Sequence, residues 1–421
     1  MAIGGVAPPA ARAGWSKPFQ FAKPGSLDTI PVALAFSPRG AAAAAFGVEN
    51  VDSPSLSSAF VTSRSPGGAV GGPLQVPGAQ QVLALAFDGS SLELLTATSP
   101  ADLSCCSQAQ AVRVGPGGAF ARPHTLVTAL NGTSLGQLVT LADGQMLVAI
   151  ATTNGVWAAQ SVSANRFAGV HRLTVSSDLP EALAATSLGG EKSIVAWTVG
   201  SGAAGEASPR SIYAAFGSRL SAPRRARALV TLPSTRRIDE LAVAARGSVP
   251  TLAWIQSWFD NRGNYHTETE AADVSSRPQV RALSPAGQMA SGLTFAGDAR
   301  GDQAIAWKIC QGNGSCTLQV SARGAKGTFV QPVSLGSIDA SQTPSLSVGP
   351  TGEALVGWVR LGHPVAAVSQ PARPRFGPTR VLSTTTYASD LAVSFGPKHE
   401  ALAAWTQGTF APSVVAAAYH G

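Results

Sequence analysis

Charged side chains are scarce in this chain of 421 residues, at 13%, and aromatic side chains make up only 6%. Globular domains typically carry about 25% charged residues. No apolar run reaches the roughly 18 residues of a membrane-spanning helix, which excludes such a helix. No segment sustains an apolar period of 3.6 residues, so the sequence predicts almost no helix of any kind.

Motifs that carry chemistry are also lacking. The sequence contains no HExxH zinc motif and no phosphate-binding loop ending in Gly-Lys-Ser/Thr. Gly132 to Gly136 matches the nucleophile-elbow pattern, but that motif needs a strand–turn–helix context that an all-β chain does not offer. The six histidines are scattered singly, without metal-ligand spacing. We therefore expect no metal, no cofactor and no identifiable catalytic residue.

Only four cysteines occur, in two local pairs. Cys310 and Cys316 bracket a short polar segment, and this spacing predicts a disulfide across the mouth of a β-hairpin. Cys105 and Cys106 are adjacent, which allows either a vicinal disulfide or two thiols. Neither pair has the CxxC spacing of a metal site. A structural disulfide favours an oxidising, extracytoplasmic location.

The positive net charge of +7 is small for this length. A basic surface alone can attract nucleic acid. Six arginines cluster between residues 219 and 237, but charges on an outer strand also discourage edge pairing. We expect a mildly basic surface and no nucleic-acid partner.

Glycine and proline are plentiful, at 45 and 29 residues, and they punctuate an internal repeat. Its clearest copies have two alternating apolar runs around a tight turn, the second run ending in Trp: LAVAARGSVPTLAW at 241–254, LTFAGDARGDQAIAW at 293–307, PSLSVGPTGEALVGW at 344–358 and LAVSFGPKHEALAAW at 391–405. Weaker copies place a large apolar residue at the same point. The eight terminal residues, 47 to 57 positions apart, are Phe46, Leu95, Ile150, Trp197, Trp254, Trp307, Trp358 and Trp405.

This period, about 51 residues on average, is that of a β-propeller blade. Five units have Gly six positions before the large residue, where a hairpin turn needs positive φ, and His399 takes that place in the last unit. We interpret the large residues as core between blades. The fold class predicted is an all-β single propeller of eight four-stranded blades, or seven if the first or second unit is not a full blade.

The ends of the chain predict how the ring closes. A third run follows in each unit, and a fourth begins with the pattern Phe-x-x-Pro-x-x-Leu, as in Phe120–Leu126 and Phe329–Leu335. The last unit stops after its third run, 414–419, whereas the N-terminal Phe21–Leu27 carries the fourth-strand pattern. We therefore expect the N-terminal segment to complete the last blade, which removes exposed edges. The predicted division is a disordered leader over 1–14 and a propeller domain over 15–421.

These Gly–turn–Ala-Trp units, with their Phe-x-x-Pro-x-x-Leu strand, resemble uncharacterised secreted propeller-repeat proteins of GC-rich bacteria. The resemblance covers residues 15–421 and implies fold and export rather than activity. The chain departs from sialidase-type propellers, because Ser26-Leu-Asp28 and Ser337-Ile-Asp339 lack the Gly and Trp of an Asp-box turn. No Trp is followed by Asp, so the WD-repeat signature is absent as well.

Two sequence features are candidates for ligand binding on one face of the propeller. Asp239 and Asp390 each stand 15 residues before their unit's Trp, at the predicted start of an inner strand. They are candidates for binding a cation or the hydroxyl groups of a sugar, and the alternative is that each carboxylate accepts backbone N–H bonds in a loop. The segment QSWFDNRGNYHTE at 256–268 concentrates aromatic and polar groups suited to recognition: Trp258, Phe259, Asp260, Asn261, Arg262, Tyr265 and His266. The alternative is a long hairpin packed on its neighbour.

The preferred hypothesis is a monomeric, non-enzymatic, extracytoplasmic propeller that binds a glycan, peptide or protein on its top face. A propeller hydrolase or lyase acting on a polysaccharide is the alternative, and would need acids and bases converging on the channel. A structural module without a small ligand is the third hypothesis. Fold alone does not decide among them.

Overall fold

The computed structural model of this protein is a ring of eight antiparallel β-sheets. No helix occurs among the residues that the structure describes, and none that could cross a membrane was found there. The described residues are 14–22, 28–49, 57–98, 107–130, 135–141, 143–163, 166–174, 178–189, 192–201, 209–218, 221–275, 279–312, 314–370, 375–408 and 413–420.

The described residues form thirty-four strands. Within a blade the strands follow one another from the innermost outward, except that in blade 3 two short outer strands pair with the same third strand. Blade 1 consists of β3 (Asp28–Phe36), β4 (Ala42–Glu49), β5 (Ser58–Arg64) and β6 (Leu74–Gln75). Blade 2 consists of β7 (Gln81–Asp88), β8 (Ser91–Thr98), β9 (Ser107–Val114) and β10 (His124–Leu130). Blade 3 consists of β11 (Leu135–Thr140), β12 (Met146–Thr152), β13 (Gly155–Ser163), β14 (Arg166–Phe167) and β15 (His171–Arg172). Blade 4 consists of β16 (Asp178–Leu188), β17 (Lys192–Ser201), β18 (Ser211–Ser218) and β19 (Ala226–Thr231).

The second half of the ring repeats this pattern until the last blade, which takes its outer strands from the N-terminus. Blade 5 consists of β20 (Arg236–Arg246), β21 (Val249–Phe259), β22 (Tyr265–Asp273) and β23 (Arg281–Ala282). Blade 6 consists of β24 (Met289–Gly297), β25 (Gln303–Cys310), β26 (Cys316–Arg323) and β27 (Val333–Ile338). Blade 7 consists of β28 (Ser345–Val348), β29 (Ala354–Arg360), β30 (His363–Val368) and β31 (Arg380–Val381). Blade 8 consists of β32 (Ala388–Phe395), β33 (Glu400–Gln407) and β34 (Ser413–His420), completed by β1 (Gly14–Trp15) and β2 (Phe19–Ala22).

The repeat residues form the core between blades, as predicted. All eight large residues lie in the second strand of a blade, and each is at most 1% exposed. The five repeat glycines all have positive φ, between 59° and 99°, and His399 adopts φ 56° at the same turn position in blade 8. The turn between the first two strands therefore requires this backbone conformation, whichever residue occupies it.

The N-terminal segment closes the ring, which confirms the predicted architecture. In β2, Phe19 pairs with Ala416 and Gln20 with Val415, and in β1 Trp15 pairs with Tyr419. Phe21 is 2% exposed and packs in the core between blades 8 and 1.

The segment predicted to carry the fourth-strand pattern in this closing strand was wrong by six residues. In blades 2 and 6, the Leu of the fourth-strand pattern is the extra residue of a β-bulge. Phe21 is the bulge residue in β2, so the equivalent motif is Trp15-Ser-Lys-Pro-Phe-Gln-Phe21, with two aromatic substitutions, not Phe21–Leu27. The Phe of the pattern also precedes its strand: Phe120 forms an isolated bridge with Val114, and β10 begins only after the proline.

Cys310 and Cys316 form the predicted disulfide, directly opposite each other on β25 and β26. Cys105, Cys106 and residues 1–13 lie outside the described residues, so the vicinal pair and the leader remain predictions.

Antiparallel order gives the ring two different faces. We call "top" the face that holds the turns between second and third strands together with the starts of the inner strands. We call "bottom" the face that holds the turns between first and second strands and the connections from third to fourth strands. The predicted site residues of blades 5 and 8 all fall on the top face.

Candidate functional site

The exposed aromatic rings of the described residues all lie on the top face. They are Phe259 and Tyr387, each 66% exposed, and Tyr265, 43% exposed. Leu361, at the top of blade 7, is 78% exposed. Grouped exposed apolar groups mark interaction sites more often than isolated ones do.

The hairpin that carries two of these rings is held by a carboxylate turn. Asp260 accepts hydrogen bonds from the backbone N–H groups of Arg262 (2.8 Å) and Asn264 (2.9 Å) and from the Asn264 side-chain amide (2.9 Å). Its Oδ2 also lies 3.0 Å from His266 Nε2. The hydrogen bond to His266, followed by those from Asn264, holds the pKa of Asp260 well below its usual range. The contacts of Asp260 and His266 therefore shape the turn, while the Arg262 side chain extends from its exposed tip.

Trp258 is the middle member of a cross-strand ladder. Arg236 on β20, Trp258 on β21 and His266 on β22 are register partners. The Arg236 guanidinium lies 4.2 Å from the centre of the indole, and the His266 ring stacks on it at 5.6 Å. Because Trp258 already contacts a side chain on each side, it is less available to stack on a ligand than the sequence suggested.

Phe259 and Tyr265 lie on the opposite side of the same hairpin and form an open aromatic pair. They are register partners with ring centres 5.3 Å apart, tilted by 55°. The Tyr265 hydroxyl donates to Asp239 Oδ2 over 3.4 Å, and Arg237 Nε contacts Asp239 Oδ1 at 2.5 Å. This combination offers apolar ring surface beside charged donors and acceptors, which suits a ligand with both apolar and hydroxyl groups.

Asp390 lies in a separate cavity at the inner edge of the top face. The cavity has a volume of about 370 Å³ and lies between the inner strands of blades 6, 7 and 8. The Asp390 backbone N–H donates to Gln342 Oε1 over 3.0 Å, and Ser389 Oγ donates to Asp390 Oδ2 over 2.8 Å. Hydroxyl and amide groups from Ser341, Gln342, Thr343 and Ser345 line the same space.

The backbone around Asp390 is strained. Asp390 adopts φ 52°, Tyr387 φ 66° and, in the neighbouring blade, Leu361 φ 52°. Left-handed backbone costs an L-residue about 1–2 kcal/mol, and for a bulky aromatic it is a clear outlier. Strain of this kind is concentrated at functional sites, where a side chain is retained despite its cost.

The two aspartates equivalent in sequence occupy similar backbone positions but different surroundings. Both lie in the β-bulge at the start of an inner strand, β20 for Asp239 and β32 for Asp390. Asp239 contacts the blade 5 hairpin, whereas Asp390 faces the cavity, and two blades separate them. The structure therefore does not bring them together as an acid–base pair.

Glu268 and Glu270 form a carboxyl pair that the sequence analysis missed. They share one side of β22 with His266, and Glu268 Oε2 accepts from Gln256 Nε2 over 3.2 Å and lies 3.7 Å from Arg236 Nη1. Burial, followed by the charge of Glu268, raises the pKa of Glu270 to about 7. Their i, i+2 spacing on a strand could have predicted the shared side, but not the burial of Glu270. Among the described residues, no cluster of three metal-ligating side chains occurs.

The raised pKa makes stability pH-dependent. Glu270 binds its proton more tightly in the folded protein than its usual value of 4.5 would allow, so this contribution to stability falls as the pH rises from about 4.5 to 7. We expect Glu270→Gln to raise the free energy of unfolding at pH 8 by about 1–3 kcal/mol and to change it little at pH 4.5. Urea unfolding at both pH values measures this.

Glu268→Gln provides the control for this titration. Removing the charge of Glu268 should move the Glu270 midpoint to lower pH, as followed by carboxyl NMR. Parallel stability profiles for wild type and Glu270→Gln between pH 4.5 and 8 would contradict the assignment.

Comparison with known proteins supports the fold and goes no further. No protein-family model matches the sequence, and no characterised protein matches it significantly. The Dos1 propeller superposes with a TM-score of 0.54 at 11% identity, covering 96% of this chain and 95% of that one. A PL25 ulvan lyase, solved with bound -[GlcA(1-4)Rha3S]-, superposes with a TM-score of 0.53 at 10% identity, covering 94% of each chain. A protein of unknown function from Dyadobacter fermentans covers 97% of this chain and 99% of its own, with a TM-score of 0.46 and 10% identity. The first two similarities, with TM-scores above 0.5, support a shared fold, and the resemblance to secreted bacterial repeat proteins remains a prediction.

Proposed function

We propose that this propeller acts outside the cytoplasm and binds a glycan on its top face. The observation that carries the proposal is the restriction of the exposed aromatic rings, among described residues, to that face. Sugar rings stack on aromatic side chains through their C–H faces, while nearby polar groups fix their orientation. Phe259 and Tyr265 beside Asp239 provide both elements in blade 5.

Two further observations support a glycan over a purely structural role. Tyr387 retains an exposed ring on strained backbone, three residues before Asp390 and its hydroxyl-lined cavity. The ulvan lyase that shares the propeller fold was solved with a saccharide. The Cys310–Cys316 disulfide is consistent with the extracytoplasmic location proposed.

A glycan array followed by calorimetry on the best-binding saccharide tests the proposal. We expect the double variant Phe259→Ala, Tyr265→Ala to weaken binding about tenfold or more, because the loss of a well-placed aromatic contact costs at least about 1.4 kcal/mol. The matched control is Val249→Ala, Val330→Ala, which removes exposed apolar groups from the bottom face and should leave the affinity unchanged.

Tyr387→Gly separates binding from folding in the same assay. Glycine adopts the positive φ of Tyr387 without steric strain, so this variant should be at least as stable as wild type while binding the glycan more weakly. The proposal would be overturned if both the double variant Phe259→Ala, Tyr265→Ala and the variant Tyr387→Gly bound the glycan as tightly as wild type. It would also be overturned if wild type bound no glycan.

A polysaccharide hydrolase or lyase is the second candidate function, favoured by the Glu268–Glu270 pair. A carboxyl group whose pKa is raised to about 7, beside a second carboxyl group, is the arrangement from which a general acid or base is built. The array glycans incubated with wild type should then show new chain ends that Glu270→Gln does not produce. Intact glycans after incubation with wild type would leave binding as the sole function proposed.

A further inference from the structure

A cavity of about 590 Å³ opens on the bottom face between blades 5 and 6, far along the strands from the proposed glycan site. Its walls come from the bottom ends of β20, β21, β22 and β26 and from the edge strand β23. Ligand pockets commonly enclose about 300–1,000 Å³, so this space suits a small molecule rather than a bare ion.

Three arginines and one carboxylate line the cavity: Arg246, Arg281, Arg323 and Asp273. Asp273 Oδ2 accepts from Arg246 Nη1 over 2.7 Å, and Asp273 Oδ1 accepts from Arg323 Nη2 over 2.5 Å. Burial by itself would raise the pKa of Asp273, but the hydrogen bonds and charge of Arg323 lower it, so the carboxylate is ionised. The lining of the cavity therefore carries three positive charges and one negative charge.

The position of Arg323 makes this excess charge costly without an anion. Its side chain is only 7% exposed, and its guanidinium lies 4.4 Å from the centre of the Phe329 ring. Gln303 Oε1 accepts from Arg323 Nε (2.7 Å), and Thr251 Oγ1 accepts from Arg323 Nη2 (2.7 Å). These neutral groups orient the guanidinium, and Asp273, the carboxylate that pairs with it, is shared with Arg246. A charge in such a setting is stabilised mainly by an opposite charge.

Donors remain for a ligand after the protein's own hydrogen bonds are counted. Arg246 Nε and Nη2 donate to the carbonyls of Ala325 and Gly327, and Nη1 to Asp273. A guanidinium has five N–H groups, so Arg246 keeps two, and the four bonds of Arg323 leave one. Arg281 lies on the exposed strand β23 at the mouth of the cavity.

We propose that this pocket binds a small organic anion through its carboxylate or sulfate group, with the remainder of the molecule against the apolar wall. That wall is formed by Ala271, Ala272, Val280 and Phe329. A planar guanidinium matches carboxylate and sulfate oxygens in bidentate geometry. The site lies on the opposite face from the aromatic rings, so the proposal is independent of the glycan-binding proposal.

Calorimetry with D-glucuronate as the probe and D-glucose as its neutral counterpart tests this site on the intact chain. We expect glucuronate to bind, glucose not to bind, and the glucuronate affinity to fall as salt is added. Arg281→Gln should weaken glucuronate binding at least about tenfold, and Arg281→Glu should abolish it. Arg281 is exposed on a two-residue strand, so both variants should fold.

Arg375→Gln is the matched control, since it removes an exposed arginine from the bottom face of blade 7, and its affinity for glucuronate should equal that of wild type. Inorganic sulfate as a competitor distinguishes the source of the affinity. Displacement of glucuronate by sulfate at similar concentrations assigns recognition to the anionic group alone, and weak displacement assigns part of it to the sugar ring. No glucuronate binding, or equal binding by wild type and Arg281→Glu, would overturn the proposal and make the arginines a clamp between blades.

Discussion

Deleting residues 1–22 should open the ring and strongly destabilise the whole protein. The deletion removes β1 and β2, and with them Phe21, which is 2% exposed in the core between blades 8 and 1. Loss of one buried Phe side chain costs about 3–5 kcal/mol. Losing its strand pairing as well should bring the total to about 5 kcal/mol or more. The measurement is the urea midpoint, followed by tryptophan fluorescence.

The deletion should also change the state of association. It exposes the edge of β34, and unpaired edges template pairing with other chains, so we expect dimers or larger species in light scattering. A variant lacking only residues 1–13 keeps both strands and is the reference for the effect of closure. A synthetic peptide of residues 14–22 should restore the monomer and the urea midpoint. A deletion variant as stable as that reference would contradict closure by this segment.

Trp307→Ala should produce one of the largest losses of stability expected from a single substitution. Trp307 is fully buried between Ile255 and Ala271 of blade 5 and Ile305 and Phe329 of blade 6. Replacing a buried Trp by Ala costs about 3–5 kcal/mol, because it removes apolar contacts and leaves a cavity. Urea unfolding at pH 7 measures the loss.

Two variants show whether that loss comes from packing. Trp307→Phe keeps most of the apolar volume, and the indole N–H has no partner among the described residues, so this variant should lose clearly less than Trp307→Ala. Phe259→Ala removes a ring that is 66% exposed and should change stability by less than about 1 kcal/mol. Equal losses for Trp307→Ala and Phe259→Ala would contradict the assignment of Trp307 to the core.

The fold could be predicted from the sequence because the blades repeat a similar local sequence pattern. In most blades a turn with positive φ precedes the second strand, and that strand carries one large residue into the core between two blades. The register of the closing strand was harder to predict, since Trp15 and Phe21 replace the Phe and Leu of the pattern. The equivalence of Trp15–Phe21 to the fourth-strand pattern is shown by the β-bulge at Phe21, which matches the bulges in blades 2 and 6.

The site could be predicted only as a region. The concentration of aromatic and polar residues in the sequence located the blade 5 hairpin. The pairing register between its strands decides on which side of the sheet each aromatic ring lies. That register places Trp258 between Arg236 and His266 and leaves Phe259 with Tyr265 on the other side. The role of Asp260 in the turn could have been predicted, because Asp-Asn-Arg-Gly is a favoured turn sequence. The bottom pocket combines Arg246 and Arg323, 77 positions apart in the chain, and no local pattern joins them.

The closing strand also sets the order in which the molecule can be completed. Ser16 Oγ accepts a hydrogen bond from the backbone N–H of Ala418, 402 positions later in the chain. During synthesis β1 and β2 leave the ribosome before the other described strands of the propeller, and their partner β34 emerges after them all. The seven blades between them can form as local sheets, while the final strand pairing cannot form until β34 has emerged. Contacts this distant in sequence slow folding, so an incomplete ring with one open edge should be the last intermediate before the native state.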